Sequence, residues 1–272
     1  MFHVHGSPRS GTTLLAQCLN AHPEILVPHE TDFIVPLAFL MDRVKDPAIG
    51  RPLAARLIAS TRGFAESLGE YLDADEIAPL VEAADYSAPA VLQAVYGHMA
   101  RKHGRTLGGD KSPADLAYAR ILHVSGCLAA PTRVVHLVRD GRDVLASLNR
   151  ANWNGNRNPM FPHAWAASNA YLADAMEAGA GHYLRVRYED LVSDPGEWLA
   201  RICALLGVDY DPRMCDPERR HPRYRRQLRQ HPRLYQPFST EGIGQYRVQL
   251  DAGETARFER IAREQLERFG YR

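Results

Sequence analysis

Gly6-Ser7-Pro8-Arg9-Ser10-Gly11-Thr12-Thr13 follows the apolar run Phe2-His3-Val4-His5 and opens a helical pattern over residues 12–20. Strand, glycine-containing turn and helix in that order are the context in which a GxxxxG loop is informative. Its glycines let backbone N–H groups converge on an anion. The helix N-terminus adds partial positive charge, and the threonines add hydroxyl donors. Ser7, Arg9, Ser10, Gly11, Thr12 and Thr13 are therefore candidate ligands of a phosphate-like group. A nucleoside-triphosphate loop of the Walker type carries a lysine where this chain has Thr12, so the cation that reaches the β and γ phosphates is missing. Arg9, three positions earlier, offers a charge suited to a shorter nucleotide donor.

The same order recurs along the chain. Residues 133–138 and 183–187 read as buried strands, and helical patterns follow at 141–149 and 195–206. Strands alternating with helices predict an α/β fold, a central parallel sheet flanked by helices in three layers, with ligands at the carboxyl ends of the strands. Between positions 36 and 109 the pattern turns helical, with apolar spacing at 53–58, 77–81 and 91–99. No Pro/Gly/Ser linker isolates this stretch, so it is expected as a cap inserted into a single domain spanning 1–272. The chain closes with an amphipathic helix over about 253–269, which presents Phe258, Ile261, Leu266 and Phe269.

Composition narrows the classes. With 272 residues, 45% of them hydrophobic, the chain can bury a full core. Its net charge of +1 speaks against nucleic acid as a partner, and no apolar run approaches the roughly 20 residues of a membrane span. The sequence enters its first strand at once, without a signal-peptide pattern, which predicts a cytoplasmic protein. Cys18, Cys127, Cys203 and Cys215 lack CxxC spacing, so neither a zinc site nor a disulfide framework is expected. His3 and His5 share one strand face and are read as packing residues, not as a metal site.

Pro8-Arg9-Ser10-Gly11-Thr12-Thr13, followed by His22-Pro23-Glu24 and Glu30-Thr31, resembles the sulfotransferases that use 3′-phosphoadenosine 5′-phosphosulfate, in particular their tyrosylprotein branch. Val138-Arg139-Asp140-Gly141-Arg142-Asp143-Val144 with Ser147, and Arg187-Tyr188-Glu189-Asp190-Leu191, extend the likeness across the core and leave the cap unmatched. The resemblance implies the P-loop-like form of the α/β fold and that nucleotide as cosubstrate, with no metal required. It also implies Arg139 and Ser147 as the grip on the 3′-phosphate. Ser147 lies about two helical turns beyond Arg139, so both side chains are able to address one group. The same resemblance puts Tyr188 at the donor and matches Glu30 to the catalytic base. It places Lys111, in Gly109-Asp110-Lys111-Ser112-Pro113, near the reacting centre. Ser239 is matched to a late serine beside the phosphosulfate, and Gly244-Gln245-Tyr246-Arg247 to a closing segment over the donor.

Transfer of a sulfuryl group needs an aligned nucleophile, a positive field on the bridging oxygen and a base for the acceptor proton. Arg9 is the candidate for the field. Glu30 is the favoured base, with His29, nearer neutrality by type, as its competitor. The tyrosylprotein branch follows its Glu-Thr pair with an arginine that recognises acidic peptides; this chain has Asp32. The acceptor is thus expected to be a hydroxyl of a small molecule, sugar, lipid or peptide, and the protein a monomer or homodimer. Between Arg213 and Arg233 lie Arg219, Arg220, Arg223, Arg225, Arg226 and Arg229, broken by Pro217 and Pro222. Within 213–247 this run reads as a lid over the donor, an acceptor-steering patch or plain solvated surface. Two rivals stand beside this reading. A P-loop kinase or NTPase requires magnesium and a lysine at position 12. A non-catalytic nucleotide-binding protein has no use for Arg9, Glu30 and Lys111 together.

Overall fold

A computed structural model of the chain describes residues 1–151, 158–177, 181–220 and 233–271. Five parallel strands form one sheet in the order β2-β3-β1-β4-β5. They are β1 (Phe2–His5), β2 (Ile25–Leu26), β3 (Leu107–Asp110), β4 (Arg133–Val138) and β5 (Tyr183–Arg187). Connections after β1 first run to one side of it, to β2 and β3, and later to the other, to β4 and β5. The carboxyl end of β1 is therefore the switch point at which α/β sheets leave a crevice.

Helix α1 (Thr12–Asn20) follows β1. The link from β2 to β3 is the helical cap: α2 (Ile34–Arg43), α3 (Pro47–Ser60), α4 (Arg62–Glu66), α5 (Ala74–Ala83) and α6 (Ala88–Lys102). After β3 come α7 (Ala119–Val124), then α8 (Gly141–Ala151) and α9 (Phe161–Glu177) beyond β4. α10 (Tyr188–Ser193) and α11 (Pro195–Leu206) follow β5, and α12 (Tyr246–Gln249) and α13 (Ala252–Arg268) close the chain.

Strand alternation divides β1 between two cores. Phe2 and Val4 pack with Leu15 and Leu19 of α1, Leu137 and Val186 of the sheet, and Leu199 of α11. The opposite face carries His3 and His5, fully buried and stacked with ring centroids 5.3 Å apart. Beside them His136 of β4 bonds Tyr183 Oη and Asn169 Oδ1, each at 2.9 Å. Because the amide oxygen only accepts, His136 carries its proton on Nε2 and accepts from Tyr183 at Nδ1. Burial pushes His3 down to about 4 and both His5 and His136 to about 3, so all three are neutral packing groups. The cap builds its own core from Phe33, Leu37, Val91, Val95 and Tyr96, continuous with Val134 of the sheet and Leu172 of α9.

Two expectations are corrected. The stretch 36–109 is not helical to its end: its last residues form β3, and the cap helices run from Ile34 to Lys102. Leu107-Gly108-Gly109-Asp110 hides a strand because glycine is poor in strand propensity. Close approach demands it here: a Cβ on Gly108 would sit 2.1 Å from the Tyr96 carbonyl oxygen, and one on Gly109 2.3 Å from the Phe2 ring. In the last helix, which has non-helical angles at Ala262, the face at i,i+4 spacing through Phe258, Ala262 and Leu266 is buried, and Ile261 is only partly so.

Candidate functional site

A cleft of about 880 Å³ opens at the carboxyl end of β1. One wall is the loop that leaves this strand. Gly11, at φ 102°, is the N-cap of α1 and supplies no side-chain cap. α2, α7, α10 and α12 share this lack, whereas α3, α6, α11 and α13 each begin under a capping side chain: Asp46, Ser87, Asp194 and Asp251. The first N–H groups of α1 carry no side-chain cap and open at the cleft, with Thr12 and Thr13 lining it beside them, the arrangement that suits an anion. Arg9 is held at φ 72°, a left-handed conformation that a non-glycine residue adopts at a cost and that binding loops concentrate. Ser10 is buried with its hydroxyl unpaired, and Ser7, also buried, accepts from Asn169 Nδ2 at 3.3 Å.

Arginines gather at this wall. Arg9 Nε donates to Ser147 Oγ at 3.2 Å. Arg139, at the end of β4, donates to the carbonyls of Arg9 (3.0 Å) and Gly242 (2.7 Å) and lies 4.5 Å above the Tyr188 ring. Its Nε is buried without a partner. Tyr188 in turn abuts Gly11, where a Cβ would lie 2.6 Å from the ring, which is the physical reason for glycine there. Arg150 and Arg233 also line the cleft. Burial, with Arg150 and Arg139 nearby, lowers Arg9 to about 10. A cluster in which positive charge is penalised in this way favours an anionic ligand.

The rest of the 139–143 motif fastens the wall to the C-terminal segment. Arg142 is buried, pairs with Asp140 at 2.8 Å and with Glu259 at 2.6 Å, and stacks on Tyr246 at 4.3 Å. Asp143 accepts from the backbone N–H groups of Gly244 (2.7 Å) and Tyr246 (2.8 Å). Glu189 joins the Asp140 N–H at 3.1 Å to the Tyr271 hydroxyl at 2.8 Å.

The facing wall comes from the loop after β2, the end of β3 and cap helix α4. Lys111 is fully buried, and its Nζ donates to Glu30 Oε1 at 3.0 Å and lies 3.4 Å from His29 Nδ1. The two candidate bases thus share one lysine. Asp32 adds a carboxylate that burial and Glu30 push upward in pKa. Gly63 presses α4 against this loop, since a Cβ there would meet the Thr31 carbonyl oxygen at 2.0 Å. That contact sets Arg62 and Glu66, paired at 2.8 Å, at the cleft beside Asp32.

The structure thus brings Arg9, Gly11, Thr12, Thr13, Glu30, Arg139, Ser147 and Tyr188 to one cleft, with Lys111 behind Glu30. It does not bring Ser239 or Arg247 to the lining. Ser239 caps a short helical turn by accepting from Glu241 N–H, and Arg247 stacks 5.1 Å above Tyr246. Arg9 reaches Ser147, so its Nε stands with the 3′-phosphate candidates. Of the arginine run, Arg223, Arg225, Arg226 and Arg229 lie outside the described residues. Arg213 pairs with Asp211 at 2.5 Å and Arg220 is buried on the carbonyls of Leu234 and Gln236. Sequence reasoning missed Arg150, Arg62 and Glu66. Arg150 follows Ser147 at helical i,i+3 spacing, a signal open to reading, whereas nothing local marks the α4 pair.

The sulfotransferase family model matches residues 2–212. The chain is 26% identical over 218 residues to protein-tyrosine sulfotransferase 2 of Gallus gallus, covering 77% of this chain and 52% of that protein. It is 31% identical over 231 residues to nodulation protein NoeE of Sinorhizobium fredii (strain NBRC 101917 / NGR234), covering 75% and 49%. The chain spans about half the length of these curated relatives. Among solved structures, the sulfotransferase domain from the Synechococcus PCC 7002 olefin synthase superposes with TM-score 0.67 at 26% identity, covering 100% of this chain and 94% of that one. The sulfotransferase domain from the curacin biosynthetic pathway gives 0.65 at 21% identity, covering 100% and 98%, a likeness of fold.

Proposed function

The chain belongs to the sulfotransferase family, and we propose that it transfers the sulfuryl group of 3′-phosphoadenosine 5′-phosphosulfate to an acceptor hydroxyl. The observation that carries this reading is the opposition of the two walls. An uncapped helix N-terminus ringed by arginines faces a carboxylate held on a buried lysine, across one cleft. The first is suited to an anionic leaving group and the second to an acceptor proton.

In the proposed reaction the N–H groups opening α1, with Thr12 and Thr13, hold the 5′-phosphosulfate. Arg139, Ser147 and Arg150 hold the 3′-phosphate. Glu30 takes the acceptor's proton as the new O–S bond forms and the S–O bond to the 5′-phosphate breaks. The charge released on that phosphate is met by the helix terminus and by Arg9, which turns from Ser147 toward the bridging oxygen. Lys111 orients Glu30. Ser239 and Arg247, outside the cleft lining, act by closing the 239–247 segment over the donor. The acceptor class extends to small molecules, sugars, lipids and peptide tyrosine. Asp32 and Glu66 beside Arg62 do not repeat the cationic recognition of acidic peptides in the tyrosylprotein branch.

The deciding measurement is calorimetric titration with adenosine 3′,5′-bisphosphate and with ATP, each with and without magnesium. Submillimolar binding of the bisphosphate that ignores magnesium is expected. Preference for ATP with magnesium sinks the reading and restores an NTPase.

A further inference from the structure

We infer that Thr31 is a positioning residue for the Glu30 carboxylate, acting through a buried network on Asp110. The inference rests on the reading of Glu30 as the base. Asp110 ends β3 and is fully buried. Its Oδ1 accepts from Tyr96 Oη at 2.7 Å, Thr31 Oγ1 at 2.8 Å and Ser112 Oγ at 3.3 Å. Thr31 Oγ1 also lies 2.8 Å from Tyr96 Oη, and the Thr31 N–H donates to Ser112 Oγ at 3.3 Å. On its other side the Thr31 carbonyl accepts from Thr61 Oγ1 at 3.4 Å and supports Gly63 of α4.

Two consecutive residues of the loop after β2 therefore meet two consecutive residues at the end of β3. Lys111 takes Glu30 and Asp110 takes Thr31. Lys111 alone fixes only the tip of Glu30, whose side chain is 38% exposed. The Asp110 network fixes the backbone from which that side chain departs. Burying a carboxylate here is a poor way to gain stability, because desolvation opposes it and an apolar residue of similar size fills space at less cost. The same carboxylate is a good way to gather three hydroxyls into one geometry. A shift of about 1 Å at a reacting group costs on the order of 10²-fold in rate, so a fixed backbone at Glu30 has a direct kinetic value. Burial raises the proton affinity of Asp110, and the hydroxyls of Tyr96, Thr31 and Ser112 that donate to it act against that rise.

The test compares wild type with Thr31→Val, Thr31→Ser, Glu30→Gln and the Glu30→Gln/Thr31→Val double variant. Radiolabelled 3′-phosphoadenosine 5′-phosphosulfate is the donor, and the acceptor is the fastest of glucose, glycerol, 1-octanol and N-acetyltyrosine. Rates are expressed per site that binds adenosine 3′,5′-bisphosphate, which removes any loss of folded protein. Thr31→Val is expected to lower kcat by about 10- to 100-fold with bisphosphate affinity held, and Thr31→Ser, which keeps the hydroxyl, to stay near wild type. The double variant should be no slower than Glu30→Gln alone, since a positioning effect vanishes with the group positioned. Wild-type kcat in Thr31→Val, or an equal fold loss in the Glu30→Gln background, overturns the proposal while Glu30 stands. Full turnover in Glu30→Gln overturns the base itself and the proposal with it. If Thr31→Val does not fold, Tyr96→Phe removes one hydroxyl of the network and is expected to cost a few-fold in kcat, with no change overturning the proposal.

Discussion

The two walls of the cleft are built on opposite plans. The wall we assign to the donor is basic, with Arg9, Arg139, Arg150 and Arg233, of which Arg9 and Arg139 follow closely on the ends of β1 and β4. The wall we assign to the acceptor carries Glu30, Asp32 and Glu66 against Arg62 and the buried Lys111, and it is assembled from the ends of β2 and β3 and from the cap. Among buried groups the contrast repeats. Neutral histidines of β1 and β4 line one buried face of that strand pair, whereas the buried carboxyl groups Asp110 and Asp115 flank in the chain the Lys111 that stands behind Glu30. One wall is organised to hold charge on a ligand, the other to hold a single carboxylate in place.

Substitution on each wall should therefore separate binding from turnover. Glu30→Ala is expected to lose on the order of 10²- to 10⁴-fold in kcat with donor affinity intact, read from radiolabelled transfer beside bisphosphate titration. Full turnover in that variant moves the base to His29. Arg9→Ala should cost about 10²- to 10³-fold in rate if its guanidinium turns to the bridging oxygen. A loss confined to donor affinity would instead leave Arg9 where it stands, as a 3′-phosphate ligand beside Ser147. Arg139→Ala should weaken donor binding by about 10- to 100-fold, the scale of a lost charge-assisted bond, and erase the preference for a 3′-phosphate. Equal wild-type affinity for nucleotides with and without that phosphate refutes the assignment.

Stability should respond to pH with opposite signs for these two buried sets. The histidines titrate at 6.5 in the unfolded chain but at about 4 for His3 and about 3 for His5 and His136 when folded. Unfolding then takes up protons between these limits, so stability falls as pH drops from about 6.5 toward 4, by roughly 1.4 kcal/mol per pH unit for each fully titrating histidine. Urea titrations at stepped pH test this, and a slope unchanged by His136→Gln removes that histidine from the account. Asp115 is the reverse: burial raises its pKa well above 3.8, so the folded state holds a proton that the unfolded state has released. Stability is lost as pH rises above 3.8 toward the folded value. Asp115→Asn should therefore raise Tm at pH 8 by about 2–4 °C for each kcal/mol of burial cost relieved, with the gain vanishing below pH 3.8.

Legibility follows the same division. β1, β4 and β5 fall at the expected residues, as do α1 and α11, because each is a local apolar run or helical pattern bounded by turns. β2 is too short to show a period, and β3 is masked by two glycines that packing requires. Glu30 and Lys111 were visible only through resemblance, since nothing local ties two residues so far apart in the chain. The arginine run remained ambiguous because charge alone does not say which side chain turns inward. Arg220 does so, onto backbone carbonyls, while Arg233 faces the cleft.

The sequence by itself determined the parallel α/β scaffold, the glycine-containing loop between β1 and α1 and the absence of the triphosphate lysine, all written in contiguous residues whose local physics suffices. Only the tertiary structure decided that Arg9 lies on Ser147, that one buried lysine serves both Glu30 and His29, and that α4 carries Arg62 and Glu66 to the cleft. These are meetings of residues distant in the chain. Burial and close backbone approach fix them, and neither has a periodicity to read.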